Sequence, residues 1–179
     1  MTKEAFDFVR RSKDKPFFLY LAYTIPHAKF QVPSLEPYTD KPWPEPAKAY
    51  AAMVTRMDRD IGRLMTLLKE LGLDEKTIVF FTSDNGGYPD PKARKIFDPQ
   101  GPFRGRKGDV YEGGIRVPMI VRWPGKVPAG RVCDVPWAFW DFLPTAAELA
   151  GVQPPKAIDG ISMVPTLLGR QQWPHEFFY

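Results

Sequence analysis

The sequence has little of several features that would classify a protein at once. Its 179 residues include a single cysteine, Cys133, which excludes an internal disulfide framework and a cysteine-rich zinc site. No apolar run approaches the length of a membrane span, and residues 1–15 follow a charged, amphipathic helical pattern rather than that of a signal peptide. We therefore expect one globular domain over residues 1–179, without a membrane span and with its cellular location unassigned.

A concentrated charge of one sign is also lacking. The net charge is +4, but the 25 basic residues are scattered along the chain, and no RNA-recognition, zinc-finger or helix-turn-helix signature accompanies them. Nucleic acid is therefore not an expected partner. The mild positive charge predicts attraction for small anionic molecules instead.

What the sequence does contain is a pattern of α/β type. The apolar runs PFFLYLAYT (16–24) and TIVFF (77–81) predict strands that are buried on both faces. Between them, apolar residues recur every three or four positions from Ala47 to Leu71, which predicts an amphipathic helix closed by Gly72. Strand, helix and strand in this order predict an α/β fold whose sheet is mainly parallel and flanked by helices.

The rest of the chain extends this pattern. Residues 117–123 predict a third strand, and residues 140–152 and 159–170 predict short helical segments. The 20 prolines crowd into the long connections, and connections of this length usually have a functional reason. Some loop aromatic residues either stack on a sugar or aryl ring of a substrate or merely pack the loops down: Tyr38, Trp43, Tyr88 and Phe97.

The residues able to do chemistry follow the predicted strands. His27 comes after residues 16–24 and the pair Asp84–Asn85 after residues 77–81, so both are expected at the sheet edge where open α/β sheets bind ligands. The acid and the amide offer oxygens that suit Ca²⁺ or Mg²⁺, but an Asn-Gly step also forms turns. Lys107 lies in a glycine-rich loop that either meets an anionic ligand or is a solvated basic loop. His175 is expected to be structural.

Linked motifs along the chain resemble the sulfatase family of the alkaline-phosphatase-like superfamily. They are PFFLYLAYTIPH, VFFTSDNG, RGRKGDVYEGGIRVPMIVRWPG, DFLPTAAELAG and DGISMVPTLLG, in this order. The resemblance covers the chain from about Pro16 to its end. Several linked motifs are more specific than any one of them, and they favour metal binding over a simple turn at Asp84–Asn85.

The resemblance implies a role for each matching residue. Asp84 and Asn85 match ligands of the divalent metal, usually Ca²⁺ with Mg²⁺ possible, which orients the sulfate oxygens. His27 matches a catalytic histidine that bonds the sulfate and the ester oxygen, and Lys107 matches a catalytic lysine that neutralises the charge of the sulfate. The remaining motif residues are assigned to loop architecture: Glu112, Gly113, Gly114 and Arg116.

The sequence departs from the family at the nucleophile. Sulfatases use formylglycine made from the Cys or Ser of a Cys/Ser-x-Pro-x-Arg motif. Residues 1–179 contain no such motif, since Cys133 stands in CDVPW, and they contain no match to the early metal-binding aspartates or to the lysine and histidine that follow those. The chain is therefore expected to be the middle-to-C-terminal portion of a sulfatase catalytic domain, without a nucleophile and inactive when isolated.

The expected function is a sulfuric ester hydrolase fragment that supplies half of a metal-dependent site for a small-molecule or glycan sulfate ester. An incomplete sheet would expose an edge and apolar surface, so the expected protein partner is either the missing N-terminal segment of the same protein or a second copy of the chain. Two alternatives stay open. One is a phosphodiesterase or phosphonate hydrolase of the same superfamily, and the other is a non-catalytic module that binds sulfated glycans.

Overall fold

The computed structural model describes residues 1–87, 90–93, 95–173 and 175–176. The helices and strands are α1 (Thr2–Ser12), α2 (Glu45–Glu70), β1 (Val79–Thr82), α3 (Glu112–Ile115), β2 (Met119–Arg122), α4 (Phe142–Leu149) and α5 (Val164–Leu167). Within these described ranges, no helix combines the length and the apolar character that crossing a membrane requires.

The chain divides into two compact units. The first comprises residues 1–77 and 81–120, and the second comprises residues 78–80 and 121–179. The assignment of residues 1–179 to a single domain stays a prediction.

The helical core of the first unit is made by α1 and α2. Apolar residues spaced along α1 are buried, namely Ala5, Phe6 and Val9. The hydroxyl of Thr2 at the start of α1 donates a hydrogen bond to the carboxylate of Asp60 in α2, at 2.9 Å. The helix predicted from Ala47 to Leu71 is confirmed, and it ends as expected because Gly72 adopts a positive φ of 69°.

Two of the three predicted strands are confirmed with changed bounds: β1 is Val79–Thr82 rather than 77–81, and β2 is Met119–Arg122 rather than 117–123. β1 and β2 are hydrogen-bonded to each other in a two-stranded sheet, which gives a partial α/β fold with helices around it. The prediction of a buried strand at residues 16–24 is wrong: this segment lies outside both strands, and Phe18 and Tyr20 are 68% and 80% exposed. An apolar run becomes a strand only when a neighbouring strand is there to pair with it.

In the second unit, a buried carboxylate organises the fold. Asp141 has no exposed surface, and its Oδ2 accepts the backbone N–H of Ala138 at 2.8 Å. Its Oδ1 accepts the backbone N–H of Ile161 at 3.0 Å and the Nε2–H of His175 at 2.6 Å. These bonds join three separate segments of the chain, and they agree with the structural role expected of His175.

The two helical segments predicted in this unit are confirmed as α4 and α5. The hydroxyl of Thr145 in α4 donates to the carbonyl of Asp141 at 2.6 Å and accepts the N–H of Met163 at 2.9 Å, which ties α4 to the start of α5. Both helices end at glycines with positive φ, 70° at Gly151 and 73° at Gly169.

Candidate active site

The segment that follows β1, residues 83–87, is here called the acid–amide turn. The hydroxyl of Ser83 donates to the carbonyl of Asn85 at 2.9 Å, and the Nδ2 of Asn85 donates to the carbonyl of Gly86 at 3.0 Å. These bonds fix the turn locally. The carboxylate of Asp84 and the Oδ1 of Asn85 accept no hydrogen bond from any residue that the structure describes, and Asp84 is exposed.

Three glycines let the acid–amide turn pack directly against residues 104–116, here called the glycine loop. The N–H of Gly86 donates to the carbonyl of Gly114 at 2.8 Å, and a Cβ added to Gly86 would lie 2.0 Å from the carbonyl oxygen of Gly113. A Cβ on Gly113 or Gly114 would in turn lie 2.4 or 2.1 Å from a backbone oxygen of the glycine loop. Only backbone fits here, which agrees with the architectural role expected of Gly113 and Gly114.

The same packing places Lys107. Its backbone N–H donates to the carbonyl of Gly87 at 3.1 Å, and the Nε2 of Gln100 donates to that same oxygen at 2.8 Å. Lys107 is half-buried, and its ammonium has no hydrogen bond or ion pair with a residue in the described ranges. Lys107 and the pair Asp84–Asn85 therefore belong to one cluster held together by backbone hydrogen bonds. Sequence reasoning missed Gln100, since nothing in its local pattern distinguishes it.

His27 lies on an exposed bend of the first unit. Its backbone N–H donates to the carbonyl of Thr24 at 3.0 Å, and its Nδ1 lies 2.5 Å from the carbonyl oxygen of Ala28. Among the contacts of the described residues, none joins His27 to the acid–amide turn or to Lys107. A strand at residues 16–24 would have placed His27 at the sheet edge, but this strand does not form, so the place of His27 in the site stays a prediction based on the resemblance.

Two arginines of the glycine loop lie over aromatic rings. The guanidinium carbon of Arg116 is 4.9 Å from the ring centroid of Phe103, and the Nε of Arg116 donates to the carboxylate of Glu112. The guanidinium carbon of Arg104 is 3.7 Å from the ring centroid of Tyr111, and its Nη2 donates to the hydroxyl of Tyr111 at 2.7 Å.

The loop aromatic residues Tyr38, Trp43 and Phe97 contact one another and Tyr50 of α2. The rings of Tyr38 and Trp43 stack with centroids 5.7 Å apart, and Phe97 lies 5.2 Å from Trp43 and 5.8 Å from Tyr50. Burial raises the pKa of Tyr50. These contacts favour loop packing over sugar stacking for Tyr38, Trp43 and Phe97, whereas Tyr88 lies outside the described residues.

The donors open to a metal ion are few. The part of the chain that the structure describes holds no group of three or more His, Cys, Asp or Glu side chains able to bind a metal. It does offer the carboxylate of Asp84 and the Oδ1 of Asn85, two adjacent oxygens of the kind that Ca²⁺ and Mg²⁺ prefer. These fit part of a coordination shell, and an ion that takes about six ligands needs donors beyond this pair.

Comparisons with known proteins agree with the motifs. The sulfatase family model matches residues 1–152. The chain is 38% identical to steryl-sulfatase of Mus musculus, over 100% of this chain and 29% of that protein. It is 37% identical to N-acetylgalactosamine-6-sulfatase of Canis lupus familiaris, over 99% of this chain and 34% of that protein.

Solved structures give the same result. The structure of Ps i-CgsB in complex with k-i-k-neocarrahexaose matches with a TM-score of 0.85 and 36% identity, over 94% of this chain and 37% of that one. The PsFucS1 sulfatase from Pseudoalteromonas sp. matches with a TM-score of 0.75 and 31% identity, over 93% of this chain and 33% of that one.

The fold is thus part of the alkaline-phosphatase-like α/β architecture. Within that class, the chain belongs to the sulfatase family. It spans about a third of the length of the curated relatives it matches. The matches do not favour the phosphodiesterase or the non-catalytic alternative.

Proposed function

We propose that this chain supplies part of the active site of a sulfuric ester hydrolase, a metal-dependent sulfatase. The observation that carries the proposal is the cluster made by the acid–amide turn and the glycine loop. There, backbone packing holds together the segments that carry Asp84, Asn85 and Lys107, while the carboxylate, the Oδ1 and the ammonium pair with no described residue. Polar and charged groups that are carried by a fixed backbone and left unpaired can bind a cation and an anionic ester together.

In this proposal, Asp84 and Asn85 hold a divalent cation, Ca²⁺ or Mg²⁺. The bound cation would supply positive charge that neutralises and orients the sulfate oxygens. Both side chains are short and follow directly on β1, so the turn can present two oxygens to one ion without spending entropy on long flexible stems. The other ligands would come from parts of the protein beyond this pair.

Lys107 and His27 act on the sulfate ester itself. The ammonium of Lys107 binds a sulfate oxygen and stabilises the negative charge that develops as the ester bond breaks. The exposed imidazole of His27 hydrogen-bonds the ester oxygen and gives that oxygen a proton as the sulfur–oxygen bond breaks, so that it leaves as the alcohol. Both groups act by charge and proton transfer, and neither attacks sulfur.

The nucleophile is proposed to be a formylglycine outside residues 1–179, since these contain no Cys/Ser-x-Pro-x-Arg motif. The isolated chain should therefore show no turnover. The exposed apolar side chains of the first unit, including Tyr20 and Ile120 at 80% and 61% exposure, support association with the N-terminal segment of the same protein or with a second copy. Light scattering of the purified chain tests the second-copy version, which a monodisperse monomer would contradict.

A metal titration tests the proposed site without requiring activity. We expect calorimetry to show weak Ca²⁺ binding by the chain, with a Kd of about 1 mM, because only part of the shell is present. Asp84→Asn should abolish the binding. Asp58→Asn removes an exposed carboxylate from α2 and should leave it unchanged. Equal Ca²⁺ affinity in the Asp84→Asn variant and the native chain would show that the acid–amide turn is not the metal site.

A further inference from the structure

The pair Arg104–Tyr111 is an ordered cationic surface in the same glycine loop as Lys107, and the proposed chemistry does not use it. The guanidinium carbon of Arg104 lies 3.7 Å from the centroid of the Tyr111 ring, and its Nη2 donates to the Tyr111 hydroxyl at 2.7 Å. Arg104 is exposed, and Tyr111 is 44% exposed. Stacking and hydrogen bonding together restrict a long side chain that would otherwise move freely in solvent.

The backbone under this pair is also fixed. The carbonyl of Arg104 accepts the N–H of Gly113 at 2.7 Å, which ties it to α3. Gly105 has a positive φ of 86°, and a Cβ added there would lie 2.8 Å from the Cβ of Tyr111. Two features therefore require a glycine at position 105, namely its backbone conformation and the close approach of Tyr111. Both side chains thus stand on a rigid support.

Arg116 has an ion-pair partner, and Arg104 has none in the described ranges of the chain. Arg116 also lies over an aromatic ring, but it forms an ion pair with the carboxylate of Glu112, which neutralises its charge. Arg104 has no carboxylate partner in the described ranges of the chain. A guanidinium carries several N–H donors in one plane, and the contact with Tyr111 uses one of its nitrogens. Arg104 therefore keeps an edge that can bind two oxygens of one anionic group.

We propose that Arg104 and Tyr111 form a specificity subsite for a second sulfate group on a sulfated sugar, next to the sulfate that Lys107 binds. The inference rests on the proposed function, since it takes the site at Lys107 as the place of the reacting sulfate. Two residues, Gly105 and Arg106, separate Arg104 from Lys107 along one fixed loop, so a single saccharide can reach both. The exposed part of the Tyr111 ring contacts the apolar face of the sugar.

The experiment compares two ligands that differ in one sulfate. The ¹⁵N-labelled chain is titrated with N-acetylglucosamine 6-O-sulfate and with glucosamine 2-N,6-O-disulfate, both with Ca²⁺ and at constant ionic strength, because salt screens exposed charges. Chemical shifts report weak binding and locate it. We expect the native chain to bind the disulfate about tenfold more tightly than the monosulfate.

Four variants test which residue causes the preference for the disulfate. Arg104→Ala should bring the disulfate affinity down to that of the monosulfate. Arg104→Lys should lower the disulfate affinity about threefold, because lysine keeps the positive charge but lacks the planar pair of N–H donors. Arg59→Ala removes an exposed charge from α2 and should leave the ratio unchanged. Lys107→Ala should weaken both ligands equally.

The outcomes separate the two hypotheses. If Arg104→Ala keeps the tenfold preference, or if the native chain binds both ligands equally through Lys107, the subsite is wrong and the proposed function stands. If the native chain binds neither ligand, both the subsite and the proposed function are overturned.

Discussion

The acid–amide turn of the first unit and the Asp141 cluster of the second unit are both built around an aspartate, but they treat it in opposite ways. The carboxylate of Asp141 is fully buried and accepts hydrogen bonds from Ala138, Ile161 and His175. The carboxylate of Asp84 is exposed and accepts none from the described residues, although its backbone is held by close packing.

This contrast separates the structural polar groups of the chain from those that we propose bind a ligand. A buried carboxylate must be fully bonded or it costs stability, so its partners reveal a structural task. A carboxylate fixed by its backbone, with open oxygens, adds little to stability and keeps its bonding capacity for a ligand. Mutations in the two places should therefore differ in what they change.

The largest effect is expected at Asp141. Asp141→Asn replaces an acceptor of three hydrogen bonds with a group that also donates, so the donors around it lose partners. We expect the free energy of unfolding to fall by about 3 kcal/mol, as measured by urea denaturation. Asp134→Asn changes an exposed carboxylate of the same unit and serves as the control. Equal stability of the two variants would remove the contrast between the units.

The next largest effect is expected at Gly86, where backbone rather than side chain holds the site. Gly86→Ala forces a Cβ to within 2.0 Å of the Gly113 carbonyl oxygen, and we expect a loss of about 2 kcal/mol in urea denaturation. Gly62→Ala in α2 has open space around the new methyl group and should stabilise the chain by about 0.5 kcal/mol. A neutral Gly86→Ala would mean that the packing of the turn is loose.

Asp84 and Lys107, whose side chains pair with no described residue, are expected to contribute little to stability and much to binding. Asp84→Asn and Lys107→Met should each change the free energy of unfolding by less than about 0.5 kcal/mol, because neither side chain bonds to a described residue. Asp84→Asn should nevertheless eliminate Ca²⁺ binding. Thermal unfolding with and without Ca²⁺ measures both properties in one experiment. A loss of stability like that of Asp141→Asn would place Asp84 among the structural carboxylates.

The smallest effect is expected at Tyr50, whose hydroxyl is half-buried and neutral. Burial raises its pKa, so the unfolded chain ionises first and binds fewer protons above about pH 10. The free energy of unfolding should therefore fall as the pH rises from about 10 through the folded-state pKa. Tyr50→Phe should make this fall less steep, whereas Tyr20→Phe, at an 80% exposed position, should not. Identical slopes would show that Tyr50 is as hydrated as Tyr20.

Local patterns were enough to predict the long helix α2 and two strands, but they failed at residues 16–24. The periodicity from Ala47 to Leu71 is a property of the segment itself, and α2 follows it. Residues 16–24 have the composition of a buried strand, but burial and pairing depend on neighbours that the segment cannot specify. The prediction of a strand at residues 16–24 therefore failed because composition alone does not specify a pairing strand.

Some residues of the candidate site could also be predicted from the sequence, and others could not. Motif resemblance was enough to single out Asp84, Asn85 and Lys107, and the structure joins their segments through backbone bonds. The contacts of Gln100 and Arg104 depend on how distant loops meet, which no spacing along the chain encodes. The role of Asp141 was missed for the same reason, since its partners lie up to 34 residues away.

The glycine contacts between the turn and the loop also bear on how genetic variation in such a chain is interpreted. Gly86, Gly113 and Gly114 touch backbone oxygens rather than the open groups, yet every side chain larger than hydrogen would push the loops apart. A scan of all substitutions scored by Ca²⁺ binding would rank these three positions with the residues proposed to bind the metal. Their intolerance would record steric exclusion, and only a parallel measurement of protein abundance would reveal the difference.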